Sequence, residues 1–377
     1  MFWESLLNAR AHRLQPSGIQ EMMVYASRPG AISFAAGQPS EDLYPIEEIT
    51  HGFEEAMKDT SVLAYPYTEG DSMLRQWISN WMVEEGLASS VPGSERILLT
   101  TGSQEGLNII SQLFLKDGDV VVVENPSYPE AMLTFGKEGV RFVTVSMDEE
   151  GPVVSELEAA LAKEKVAFFY TIPTFQNPSG HSTSLARKKE IWFDEKPAKT
   201  YFSLAKEEPV LYLGSFSKII APGLRCGWMV LPPIIMEKAV QLRLTFELGV
   251  SALLQRMIFY VVSRRNFEAH LSHLRHEYRE RRDAMAEAIS KHLAPLGFSF
   301  PTPKGGFFFW GSRDGLNGTD FARFAAKNFG VALIPGEIFF ALPQKGQNFV
   351  RFSFAKVDRE ETNKGMERLA KAFREFC

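Results

Sequence analysis

Cysteine is almost absent: Cys226 and Cys377 are the only two in 377 residues. That excludes a disulfide framework and fits a reducing compartment. Charge of one sign is also lacking, since 41 Lys and Arg against 46 Asp and Glu leave a net −5. Such a balance gives no electrostatic reason to expect nucleic acid or an anionic membrane as partner. No apolar run approaches the ~20 residues that span a bilayer. Residues 1–13 are amphipathic and lack the apolar core of a signal peptide. Repeats and low-complexity stretches are missing, and no metal site is expected. What is present is ordinary for a globular protein, 45% hydrophobic and 23% charged. The expectation is a soluble, cytoplasmic protein. Its length exceeds the size at which one core keeps growing, so two domains are expected.

From about residue 97 the chain alternates short β-branched runs with helical stretches. Strands are expected at 97–100, 120–124, 140–145, 166–171, 209–213 and 228–231. Several are apolar at successive positions, as when helices cover both sheet faces. Residues 45–260 therefore read as a doubly wound α/β domain. A long charged helix at 264–292 opens a smaller α+β domain, 261–377, with strands near 306–310, 331–334 and 349–354 and a last helix at 358–376. The N-terminal segment, 1–44, is expected to return to that smaller domain.

The most telling stretch is Tyr212-Leu213-Gly214-Ser215-Phe216-Ser217-Lys218-Ile219-Ile220-Ala221-Pro222-Gly223-Leu224-Arg225-Cys226-Gly227-Trp228. An apolar run delivers a lysine flanked by two hydroxyls, and an arginine follows seven residues later. A lysine amine forms a Schiff base with an aldehyde and lowers its pKa readily when buried. Ser215, Ser217 and Arg225 are groups suited to a phosphate beside it. For Ser-x-Ser-Lys alone the plain reading is a surface lysine after an edge strand. The arginine and the Pro-Gly turn argue against it.

Other phrases add to this one. Gly102-Ser103-Gln104 opens a helix directly after a strand, where exposed N–H groups bind phosphate, although any capped helix start reads similarly. Tyr128, in Glu124-Asn125-Pro126-Ser127-Tyr128-Pro129, follows the next strand, at the edge where ligands of open α/β sheets collect. An aromatic there can stack on a planar ring. Asn177-Pro178-Ser179-Gly180 is by itself a good turn. Arg351 stands in the otherwise aromatic run Asn348-Phe349-Val350-Arg351-Phe352-Ser353-Phe354; a solvated face is the usual answer, yet an arginine fork also matches a carboxylate.

Together these phrases resemble the fold-type I pyridoxal-phosphate (PLP) aminotransferases of class I/II, most like the 2-aminoadipate and kynurenine types. They stand in family order over nearly the whole chain. The resemblance implies an α/β large domain with a smaller α+β domain, PLP as cofactor, and amino-group transfer from an amino acid to a 2-oxo acid. It makes Lys218 the cofactor lysine and proton carrier. It gives Gly102, Ser103, Gln104, Ser215, Ser217 and Arg225 to the cofactor phosphate, Tyr128 to its ring and Asn177 to its phenolic oxygen. Arg351 becomes the anchor of the substrate carboxylate. In Tyr65-Pro66-Tyr67-Thr68-Glu69-Gly70 the resemblance points to Tyr67 as reaching the phosphate of a neighbouring subunit, hence a homodimer with shared active sites. In Phe34-Ala35-Ala36-Gly37-Gln38-Pro39 it puts Gly37 over the substrate.

One departure stands out. The family carries an aspartate that pairs with the pyridine nitrogen, on a strand ending in Asp-x-x-Tyr before the lysine strand. Here only 41 residues separate Asn177 from Lys218, and roughly twenty are missing, about a strand and its connection. A helix at 182–191 runs straight into Trp192-Phe193-Asp194-Glu195-Lys196-Pro197, and Asp194 follows the turn instead of ending a strand. Losing a central strand would leave two rows of backbone groups unpaired. The expectation is therefore a working chain that still carries the strand, with a truly shortened and inactive protein as the alternative.

Carbon–sulfur lyases and decarboxylases share these phrases, and a non-catalytic binding scaffold stays open. A transcription factor using this fold as an effector domain is disfavoured by the short stretch before Gly37 and by the negative charge. Gln20 stands where 2-aminoadipate or kynurenine relatives often carry arginine, so no strong preference for a second acidic group is expected. Aromatic or bulky aliphatic amino acids fit, with Trp3, Phe34 and Phe307 as pocket lining.

Overall fold

The computed structural model describes residues 2–88, 90–191 and 210–376. Among them are twelve strands: β1 (Ile32–Ser33), β2 (Ile97–Thr100), β3 (Val120–Asn125), β4 (Arg141–Asp148), β5 (Gly151–Pro152), β6 (Val166–Tyr170), β7 (Tyr212–Ser215), β8 (Gly227–Val230), β9 (Phe308–Ser312), β10 (Val331–Ala332), β11 (Ile334–Pro335) and β12 (Phe349–Ser353). They fall into two compact units. One comprises Met1–Glu41, Lys116–Thr183 and Arg275–Cys377; the other comprises Asp42–Leu115 and Ser184–Leu274.

In the second unit, β8 lies between β2 and β7 and runs antiparallel to both. Every residue of β2 and β8 is buried, consistent with their unbroken apolar runs. The helix Ser103–Phe114 leaves β2 through Gly102, whose φ of 75° suits a residue without Cβ. It lies close on the sheet, since a Cβ on Gly106 would sit 2.7 Å from Leu213 Cδ2. Phe216 and Trp228 pack at 5.0 Å between ring centroids, with Trp77 and Trp81 against them. Gly52 lets the helix Ile46–Ala56 approach Ala252–Val262, because a Cβ there would meet the Met257 carbonyl at 2.8 Å.

In the first unit, β3 pairs in parallel with both β4 and β6, and β5 folds back against β4. A second sheet runs β11-β12-β9, antiparallel throughout. Within this unit β1 pairs in parallel with β10, and the Phe34 N–H donates to the Ala332 carbonyl at 2.8 Å. Phe34 is fully buried in a core with Phe309, Phe321, Phe352 and Phe373. That corrects its expected place in a pocket lining, because the residue just after β1, bonded to Ala332, turns its ring inward. The long helix begins at Phe267, and the helix near 319 is Gly318–Phe324 followed by a π-helical turn, Ala325–Phe329.

Among the described residues the expected strands pair in two groups, β2-β8-β7 and β5-β4-β3-β6. Among the described residues β6 pairs only with β3, and β7 only with β8. Residue 209, the first of the strand expected at 209–213, and the phrase Trp192 to Pro197 with Asp194 lie outside the described residues.

At the carboxyl end of β3, Glu124 is 1% exposed. It accepts hydrogen bonds from the Thr171 hydroxyl, the Ile172 N–H at 3.2 Å and Gln176 Nε2 at 3.0 Å. Burial pushes this carboxyl above its ordinary 4.5, against hydrogen bonds that favour the charged form. A carboxyl with a higher pKa folded than unfolded holds extra protons in the native state over a window opening near 4.5. The stability it contributes is full below that window and falls as pH rises through the folded value. Glu124→Gln should therefore show a flatter urea-stability profile between pH 4.5 and 7 than the parent; parallel profiles would contradict this. Gly227 gives a second check, because its Cβ would lie 2.8 Å from the Gly214 carbonyl and 3.0 Å from the Gly102 backbone. Gly227→Ala should cost about 1–3 kcal/mol in urea titration. An unchanged value would show that the strand has slack.

Candidate active site

The lysine segment is built by one short turn. β7 ends at Ser215, whose hydroxyl accepts the Ser217 N–H at 3.1 Å and lies 2.9 Å from the Ser217 hydroxyl. Phe216 is fully buried and anchors the turn Phe216–Lys218, while its N–H donates to the Cys226 carbonyl at 3.1 Å. Lys218 closes the turn on its exposed side. The following turn, Pro222–Leu224, ends on Arg225 in the left-handed region, φ 47° and ψ 50°. From there Arg225 Nη2 reaches the Thr101 carbonyl at 3.3 Å.

That contact brings the two phosphate phrases together. A Cβ on Gly102 would sit 2.8 Å from Arg225 Nη2, so only glycine leaves the guanidinium this close to the helix start. Ser103 Oγ lies 3.5 Å from the Gly214 carbonyl, and Gln104 is exposed. A helix N-terminus, hydroxyls and a guanidinium in one place suit a phosphate.

Beneath this turn is a buried network that the sequence reading missed. Arg243 is fully buried, with Nε 3.0 Å from Glu105 Oε1 and Nη1 bonded to the carbonyls of Leu99 and Thr68. Glu105 in turn accepts the Thr101 N–H, and the Thr101 hydroxyl lies 3.2 Å from Glu247. Burial raises the Glu105 pKa while Arg243 opposes the shift. Glu105 and Arg243 stand 138 positions apart, so no local pattern in the sequence pairs them.

The other constellation belongs to the first unit. Arg351, on β12, is 1% exposed, where the sequence suggested a solvated face. Nη1 donates to Asn177 Oδ1 at 2.8 Å, and Nη2 to the Ala35 carbonyl at 2.9 Å. The guanidinium lies 4.0 Å from the Phe308 ring centroid and 5.1 Å from that of Phe339. Its Nε is buried without a partner, and among the described residues no carboxylate lies within ion-pair distance. Burial pushes its pKa down to about 9, with Tyr128 opposing. Gly37 is equally close, since a Cβ there would meet Phe308 at 2.8 Å and Arg351 Nη2 at 3.9 Å.

The expected residues therefore form two groups. Ser215, Ser217 and Lys218 sit in one turn, and Gly102, Ser103 and Arg225 in the turns tied to it. Gly37, Asn177 and Arg351 cluster in the other unit, with the half-buried Tyr128 acting electrostatically on the arginine. Tyr67 is 84% exposed and Trp3 77% exposed. The cradle around Gly102 and the orphaned Nε of Arg351 fit a phosphorylated cofactor and a carboxylate substrate respectively.

Comparisons with known proteins agree with this chemistry. The family model "Aminotransferase class I and II" matches residues 29–369. The 2-aminoadipate transaminase of Thermus thermophilus is 35% identical, over 99% of this chain and 97% of that protein. Aromatic-amino-acid aminotransferase 1 of Thermococcus litoralis is 31% identical, over 99% and 95%. The crystal structure of the alpha-aminoadipate aminotransferase LysN from Thermus thermophilus, complexed with N-(5'-phosphopyridoxyl)-L-leucine, superposes with a TM-score of 0.89 at 33% identity, covering 99% of this chain and 98% of that one. The chain belongs to the aminotransferase class I and II family, with its fold-type I architecture, its PLP cofactor and its amino-group transfer.

Proposed function

We propose that Lys218 and Arg351 divide the work of amino transfer from an amino acid to a 2-oxo acid. Arg351 carries the proposal: a dry guanidinium with an unused N–H and no carboxylate partner among the described residues binds an incoming α-carboxylate. Asn177 and the Ala35 carbonyl fix the orientation of the guanidinium, and Gly37 leaves room above it. Gly102, Ser103, Gln104, Ser215, Ser217 and Arg225 hold the cofactor phosphate, and Tyr128 and Asn177 face its ring. When bound, PLP supplies an aldehyde carbon and an electron-withdrawing ring that acidifies the substrate α-carbon. Lys218 Nζ would hold that aldehyde carbon, and its amine would take the proton from the substrate α-carbon as base and return it as acid.

Donors with aromatic or bulky aliphatic side chains fit best. Gln20, exposed in the first turn of Gly18–Ala26, offers no cation to a second acidic group. Tyr65 and Tyr67, 88% and 84% exposed, and the exposed Phe2, Trp3 and Leu6 support a homodimer in which Tyr67 reaches the partner's phosphate. Among the described residues no helix is long and apolar enough to cross a membrane, and a cytoplasmic enzyme is proposed. We also propose that the active chain carries the Asp-x-x-Tyr strand. In support, the alignment to the 2-aminoadipate transaminase runs over 398 positions, more than the 377 residues here.

Borohydride treatment of PLP-soaked protein should leave a pyridoxyl group on Lys218 by peptide mass mapping, and Lys218→Ala should abolish turnover. An untagged lysine, or a fully active Lys218→Ala, would sink the assignment. In a single-turnover screen of the twenty amino acids, the cofactor absorbance should fall fastest with aromatic or bulky aliphatic donors. Ammonia and pyruvate released without an acceptor would identify a lyase instead. Intact mass should exceed that of the 377 residues by about one strand and its connection. Equality would identify a shortened protein, which is expected to be inactive.

A further inference from the structure

We propose that Glu124 is a positioning residue for the substrate carboxylate: through Gln176 it fixes the loop that holds Asn177 against Arg351. This rests on the reading of Arg351 as carboxylate anchor. Gln176 is fully buried, and its side-chain amide is saturated. Nε2 donates to Glu124 Oε2 at 3.0 Å and to the Pro126 carbonyl at 2.6 Å. Oε1 accepts the Ser179 N–H at 3.0 Å and the Ser179 hydroxyl at 2.7 Å. An amide has two N–H bonds and two acceptor lone pairs, and all four are used. The Gln176 main chain is held as well, its N–H on the His181 carbonyl at 2.8 Å and its carbonyl on the Gly180 N–H at 2.7 Å. The next residue is Asn177, whose Oδ1 lies 2.8 Å from Arg351 Nη1.

Glu124 supplies what this loop cannot supply itself. Its partners are the Thr171 hydroxyl, the Ile172 N–H and Gln176; no Lys or Arg forms an ion pair with it among the described residues. Burying a carboxyl without a cation is costly. Its service is as an acceptor for donors that would otherwise be stranded in a dry interior. One carboxyl therefore ties the end of β3, the segment after β6 and the Asn177 loop into one block. Asn177 then meets Arg351 with no freedom to turn away.

The test uses the full-length, cofactor-loaded enzyme and the amino acid ranked first in the screen above. Glu124→Ala should raise KM about tenfold while kcat stays within about threefold. Glu124→Gln keeps acceptor and shape, and should restore KM to within about threefold of the parent. In an Asn177→Ala background, adding Glu124→Ala should change KM no further, because the same contact is already lost. An unchanged KM in Glu124→Ala, or effects that multiply in the double variant, would overturn the proposal. Should Glu124→Ala not fold, Gln176→Met cuts the same link and carries the same expectations. Arg351→Lys separates the two readings: a KM left unchanged there would overturn the carboxylate anchor itself, whatever Glu124 does.

Discussion

A guanidinium sealed from water, with no anion beside it among the described residues, is the constraint on which the proposed substrate site depends. Arg351 could have satisfied itself with an aspartate, or turned to solvent from the other face of β12. Instead Phe308 and Phe339 pack against it, Asn177 and Ala35 supply neutral acceptors, and Nε is left bare. Neutral dipoles and aromatic faces repay only part of the desolvation of a cation. Burial draws its pKa down to about 9, which leaves the charge in place at neutral pH. The remaining attraction is available to a carboxylate that arrives from outside.

Arg243 shows the contrasting solution to the same problem. It too is fully buried, but Glu105 and Glu247 face it and main-chain carbonyls cap its fork. A cation answered in this way gives little to a ligand, and its role is to hold the Thr101 turn whose far side faces Arg225. The distinction between the two arginines lies in their partners. One is answered within the fold, while the other has no anionic partner among the described residues, which under the proposed function leaves it to a substrate carboxylate.

Legibility in the sequence followed the same division. Lys218, Gly102 and Arg225 could be read because tight turns demand particular residues: a glycine at positive φ, a hydroxyl cap, a Pro-Gly reversal. Burial of a charge cannot be read from its neighbours in a strand, so Arg351 looked at first like a solvated face. Glu124 and Gln176 were hidden inside phrases valued for Tyr128 and Asn177, since hydrogen bonds over 47 to 52 positions of chain leave no local pattern. The inward turn just after β1 was missed for a related reason. Phe34 stands beside Gly37 in sequence, but its bond to Ala332 turns it into the core. The strands themselves were mostly found, while which strand pairs with which is something periodicity does not encode.

Phe175 shows how tightly the Asn177 loop is held. Its φ is 48°, a left-handed conformation that a bulky residue rarely adopts, and one that costs on the order of 1–3 kcal/mol. Such strain persists only where the surroundings over-determine it. Gly305 and Gly306 supply those surroundings, since a Cβ on Gly306 would lie 2.9 Å from Phe175 Cβ and one on Gly305 would lie 2.4 Å from the ring. The ring therefore fills space that those two glycines vacate, and the backbone is turned to put it there. One residue further on, Gln176 is pinned from the opposite direction by Glu124, Pro126 and Ser179. With both constraints present, the strain is confined to Phe175, and Asn177 is held where Arg351 needs its acceptor.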